Sequence, residues 1–122
     1  VTNLKGLDAF SRVAPCEPVS VTPVIENRVL KCPRCGDGYL HHCAVQVQDR
    51  DREDGPGTQV YVGNGAVKVT RTEGHHYGTR RSAVRIGFYC ELCDEGEMTP
   101  RVVLVIRQHK GATLVDWEES QW

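Results

Sequence analysis

Two cysteine pairs, Cys32-Pro-Arg-Cys35 and Cys90-Glu-Leu-Cys93, are the residues of this chain best equipped for chemistry. A two-residue spacer lets both sulfurs of a pair face one ion, and four thiolates together complete a tetrahedron around Zn²⁺. Such a site is closed. A catalytic zinc keeps one position for water or substrate, usually beside three protein ligands, so a site filled by Cys32, Cys35, Cys90 and Cys93 is expected to be structural.

The six cysteines of this 122-residue chain are unevenly spread, with Cys16 and Cys43 outside the pairs. Disulfides are the competing explanation, and they need an oxidising compartment. Adjacent pairs suit a metal better than a cystine framework. No apolar run is long enough for a signal-peptide core or a membrane span, which gives a cytoplasmic expectation and no membrane partner. The length fits one domain with a modest core, to which zinc would add a staple. A net charge of −1 carries no global footprint for nucleic acid, so a binder would have to gather its positive charge on one face.

The elements that must position the cysteines read as strands. Tyr39–Gln48 alternates, with Tyr39, His41, Cys43, Val45 and Val47 expected inward. Gln59–Val62 and Ala66–Thr70 flank Gly63-Asn64-Gly65, a hairpin signal. Ala83–Tyr89 runs straight into Cys90. Arg101–Gln108 is the most continuous apolar run and fits a central strand buried on both faces, turned by Lys110-Gly111 into Ala112–Trp117. Asp49–Gly57, Thr72–Ser82 and Asp94–Pro100 read as loops. Leu4, Leu7, Phe10 and Val13 can line a short helix, and Pro15, Pro18 and Pro23 punctuate the stretch after it. The expected organisation is an N-terminal arm over 1–27, a β domain over 28–118 and a short tail over 119–122.

Cys32-Pro-Arg-Cys35-Gly36 and Cys90-Glu-Leu-Cys93 make the chain resemble zinc ribbons, in which two knuckles at one end of an antiparallel sheet close over one ion. It departs from them at Asp94, where a glycine often follows, and in the long insertion between the pairs. Together with Leu40-His41-His42, Phe88-Tyr89-Cys90-Glu91 and Gln108-His109-Lys110-Gly111, the pattern over 30–118 is similar to small phage and prophage proteins. That resemblance implies a mobile-element origin, hence host cytoplasm, and no established activity.

Beyond the metal, Lys68, Arg71, Arg80, Arg81 and Arg85 lie in one stretch with Glu73 as the sole opposing charge. Gathered beside His76 and Tyr77 they would offer forked donors to phosphate and an aromatic to a base; solvated or acid-paired arginines are the plain alternative. His41 and His42 point to opposite strand faces, where one could support a metal or simply pack. His75 and His76 sit in a polar loop. His109 follows the buried strand, and Cys43 would need an oriented base to act as a nucleophile. No catalytic motif is present, and no enzyme is expected.

The combined expectation is a mostly β protein: a small antiparallel sheet of roughly five to seven strands with a four-cysteine zinc ribbon. It would act as a non-enzymatic regulator that contacts nucleic acid or its associated machinery. The alternative is a protein–protein module, either a host-factor inhibitor or a small virion component, using edge strands and Trp117 or Trp122.

Overall fold

A computed structural model describes residues 22–52, 55–72, 81–94 and 98–119. The proposed helix over Leu4–Val13, together with Cys16, His75, His76, Tyr77, Arg80 and Trp122, lies outside them.

Strands dominate, as the alternation and β-branched runs require. In chain order they are β1 (Ile25–Glu26), β2 (Val29–Leu30), β3 (Leu40–Arg50), β4 (Gly57–Gly63), β5 (Ala66–Thr72), β6 (Ser82–Cys90), one helical turn α1 (Glu91–Asp94), β7 (Val102–His109) and β8 (Ala112–Glu119). β1 and β2 form a small hairpin, and the other six make one antiparallel sheet in the order β5-β4-β3-β6-β7-β8. Two hairpins turn where glycine was expected to allow it. Asn64-Gly65 (φ 52° and 73°) joins β4 to β5, and Lys110-Gly111 (φ 50° and 82°) joins β7 to β8. Positive φ at both central residues matches the right-handed twist of the flanking strands. The β1–β2 turn has the same geometry at Asn27 and Arg28 (φ 51° and 68°) with no glycine to announce it. The expected boundary between arm and domain therefore falls inside a turn.

Register sorts the side chains onto two faces. One row crosses all six strands as Val69, Val60, Val47, Val84, Ile106 and Val115. The next is Val67, Val62, Val45, Ile86, Leu104 and Trp117. This apolar face is closed at the β7–β8 side, where Phe88, Val102, Leu104 and Trp117 form a buried cluster against Leu30, Leu40 and Ile86. Phe88 meets Trp117 edge to face at 5.6 Å. The same face is open at the β5 side, where Val67 and Val69 are 68% and 62% exposed.

The opposite face is polar and deeply buried: Gln46, Gln48, Arg50 and Arg85 are each at most 8% exposed. Some of their polar atoms are hydrogen-bonded, while Gln48 Oε1, Arg50 Nε and Nη2 and Arg85 Nε are buried without a partner among the described residues. Gln48 donates to Gln59 (3.1 Å), and Arg50 donates to the Gly55 carbonyl (2.7 Å). Gly57 must lack a side chain here, because a Cβ would sit 2.5 Å from the Asp49 carbonyl oxygen. These burials correct the alternation expected for Tyr39–Gln48. The β3–β6 register shifts between His42 and Ala44, a bulge at Cys43 that moves Leu40 and His42 onto the face of Val45 and Val47. Val47 is left 39% exposed while Gln46 and Gln48 are buried. β7 behaves as a central strand over Val102–Val105, buried on both faces, and opens toward His109. Among the described residues, no helix is long and apolar enough to cross a membrane.

Candidate metal centre

The first cysteine pair is shaped by a short closed loop after β2. The Cys32 amide donates to the Asp37 carbonyl (2.8 Å), and the Gly36 amide returns to the Cys32 carbonyl (2.9 Å). Gly36 holds φ +81°, a left-handed conformation that a β-carbon would strain. The Arg34 amide points at the Cys32 sulfur (3.4 Å), a donor for a thiolate.

The second pair is built differently. Cys90 ends β6, and α1 carries Cys93 around to the same side. Asp94 closes this turn. Its carboxylate accepts the Cys90 amide (2.7 Å) and lies 3.8 Å from Arg34 and 3.7 Å from Arg101. The residue that breaks the glycine pattern thus fastens the turn with a side chain and ties one knuckle to the other. Leu40 opposite Cys90, and the Glu91 amide on the Tyr39 carbonyl (3.1 Å), anchor the knuckle to the sheet.

The four sulfurs converge within 4.8 Å of one another. Cys32 and Cys93 are 3.9 Å apart, and Cys35 and Cys90 are 3.7 Å apart. A tetrahedron with zinc–sulfur bonds of about 2.3 Å has edges of about 3.8 Å. The expected ligand set is therefore brought together at the spacing an ion held by four thiolates requires. Burial pushes the Cys90 thiol up to about 12 and raises Cys35 in the same direction. A cation would have to displace those protons. Arg34 and Arg101 offset part of the negative charge that four thiolates around a dication would carry.

Cys32, Cys35, Cys43 and Cys90 are free thiols. Only the thiolate is a ligand, so the four-sulfur site requires every member of the tetrad, Cys93 included, in its reduced form.

The remaining candidates separate. His41 stacks on Tyr89 (4.9 Å) and pairs with Glu91 (2.5 Å), while His42 lies edge-on to Phe88. Cys43 sits at the bulge with its thiol on the Gly87 carbonyl (3.6 Å), raised by burial and then by the charge of Asp94. His109 is at the far end of β7, roughly 20 Å along the strand at about 3.3 Å per residue, so the two cannot act together.

Among the described residues, the basic stretch is divided between different environments, and Arg80 lies outside them. Arg85 is 2% exposed and donates to Gln46 (3.0 Å) and Glu118 (2.9 Å). Arg71 is exposed and forked onto Asp51 (2.7 and 3.2 Å). Lys68 and Arg81 are exposed. Charges adjacent in sequence are sorted by strand register into buried, paired and open positions.

Sequence reasoning also missed Asp94 as a support of the site. The signal was its position directly after the second pair, in place of glycine. A cleft of about 230 Å³ runs beside the first knuckle, lined by residues including Lys31, Cys32, Pro33 and Trp117. Comparison with known proteins adds no relative: no family model matches, and no curated protein or solved structure is significantly similar. The zinc-ribbon and phage resemblances rest on the residues alone.

Proposed function

We propose that this protein is a non-enzymatic binding module whose sheet is locked at one end by a single structural Zn²⁺. The observation that carries the reading is the closed sulfur tetrad, with all four cysteines within 4.8 Å of one another. Four protein ligands leave no position for a reacting water, so the ion holds the fold and the surfaces do the work. Zinc is favoured because a four-sulfur tetrahedron suits its softness and geometry. Four thiolates also suit a reducing compartment, in keeping with a cytoplasmic site.

Two classes of partner remain, and the surfaces favour protein. The open apolar rows at Val62, Val67 and Val69 offer the kind of patch that marks protein contacts. For nucleic acid, burial removes Arg85 from the basic stretch, and Asp51 occupies Arg71, leaving Lys68 and Arg81 as its open described cations. A fluorescence anisotropy titration of single- and double-stranded DNA and RNA separates the two. The protein reading expects no salt-dependent binding. Binding whose logarithm falls steeply with log salt, and which Lys68→Glu and Arg81→Glu weaken, would restore the nucleic-acid reading. Equilibration of the reduced chain with zinc tests the scaffold itself, one ion per chain being expected.

A further inference from the structure

The two outer strands of the main sheet differ in a complementary way. Among the described residues, no backbone group of another element pairs with the outer side of β5 or β8. Natural edges are usually guarded by proline, bulges, short length or charged side chains, lysine above all. β5 runs seven residues in unbroken register with β4 and has none of the first three; its apolar face presents Val67 and Val69. On its polar face stands Lys68. β8 presents Val115, 42% exposed, on the apolar face. On its polar face stand Asp116 and Glu118, whose side chains remain 40% exposed after pairing with Arg107 and Arg85.

We propose that a second copy of this chain adds head to tail, its β8 pairing with β5 of the first. Three observations converge on this occupant. The five pairings between six strands are all antiparallel, so β5 and β8 run in opposite directions. A second copy in the same orientation therefore presents β8 antiparallel to β5, with apolar face continuing apolar face. Lys68 and Asp116 lie at the two ends of one register row, Lys68-Tyr61-Gln46-Arg85-Val105-Asp116. Continuing that row places Asp116 opposite Lys68, and Val115 opposite Val69 in the row beside it. Pairing of like edges brings Lys68 toward Lys68, or Asp116 and Glu118 toward their own copies, and opposed like charges weaken a sheet. The contact is heterologous and does not close at two copies. The inference rests on the protein-binding reading above.

The test is sedimentation velocity of the zinc-loaded, reduced chain over a range of concentrations, with two edge-blocked variants. Val69→Lys places a charge on the apolar face of β5, and Val115→Lys does so on β8. The expected result is concentration-dependent growth past the dimer for the unaltered chain and monomers for each variant alone. An equimolar mixture of the variants, having one open β5 and one open β8, gives a 1:1 complex that grows no further. Dimers formed by Val115→Lys alone would show like-edge pairing and overturn the proposal, as would a chain that stays monomeric at the highest concentration. Should either variant fail to fold by circular dichroism, Lys68→Glu and Asp116→Lys replace them. Each alone is expected to weaken association roughly 5-fold, and the two charges exchanged in one chain to recover it; no change in any of the three would also overturn the proposal. Loss of self-association with one zinc per chain retained defeats this contact and leaves the zinc scaffold standing.

Discussion

The sulfurs of Cys35 and Cys90 lie 3.7 Å apart although 55 positions separate them in the chain. One belongs to a loop and the other ends a central strand, so whatever joins them pins the first knuckle and the β1–β2 hairpin to the sheet.

Asp94 is the side chain on which the second knuckle depends. Asp94→Asn keeps the size and removes the charge held between Arg34 and Arg101; Asp94→Ala also removes the acceptor for the Cys90 amide. Supporting groups of this kind are worth about 10- to 100-fold in metal affinity. Competition with a chromophoric chelator is expected to show Ala weaker than Asn, both still folding in excess zinc.

Stability should respond to pH in opposite senses with and without metal. In the metal-free reduced protein, burial holds the Cys90 proton up to about 12, against an ordinary 9.0. Below 9.0 this contribution is fully present; as pH rises toward 12 the folded state loses its advantage, because it binds the proton that the unfolded chain has released. With zinc the ligands are thiolates, so affinity falls as pH drops. Thermal melts across pH 5 to about 10 are expected to decline at the alkaline end for metal-free protein and at the acid end for the zinc form.

Four cysteines this close make the site sensitive to oxidation. Under reductant and zinc, the tetrad is complete. With any of its cysteines oxidised, fewer thiolates remain and zinc affinity should fall. Thiol counting by maleimide mass shift beside metal analysis, with and without reductant, checks that the two quantities change together.

The core that supports this end of the sheet is centred on Trp117, which is 2% exposed and packed against Phe88. Trp117→Ala should cost about 3–5 kcal/mol in denaturant unfolding of the zinc form. Val67→Thr, at an open edge position, should stay within about 0.5 kcal/mol.

Much of this was legible in the residues, for local reasons. Cys-x-x-Cys spacing places two sulfurs together whatever the rest of the chain does. Asn64-Gly65 and Lys110-Gly111 announce turns because their backbone needs positive φ. Asn27-Arg28 makes the same turn without that signature, so the first hairpin was hidden. The bulge at Cys43 was hidden too, since alternation looks regular through it and only the pairing of β3 with β6 shows the slip. Arg85 was misleading for the same kind of reason. Its neighbours in sequence suggested a cationic surface, but its partners, Gln46 and Glu118, come from other strands and draw it inward. Long-range register decides such placements, and no short window contains it.

The central claim is that four sulfurs from two distant knuckles hold one zinc ion. X-ray absorption at the zinc edge, on reduced protein carrying one ion per chain, measures that directly. The account predicts a first shell of four sulfurs at about 2.3 Å with no nitrogen or oxygen. A shell containing light atoms, fewer sulfurs, or no stoichiometric zinc at all would contradict it.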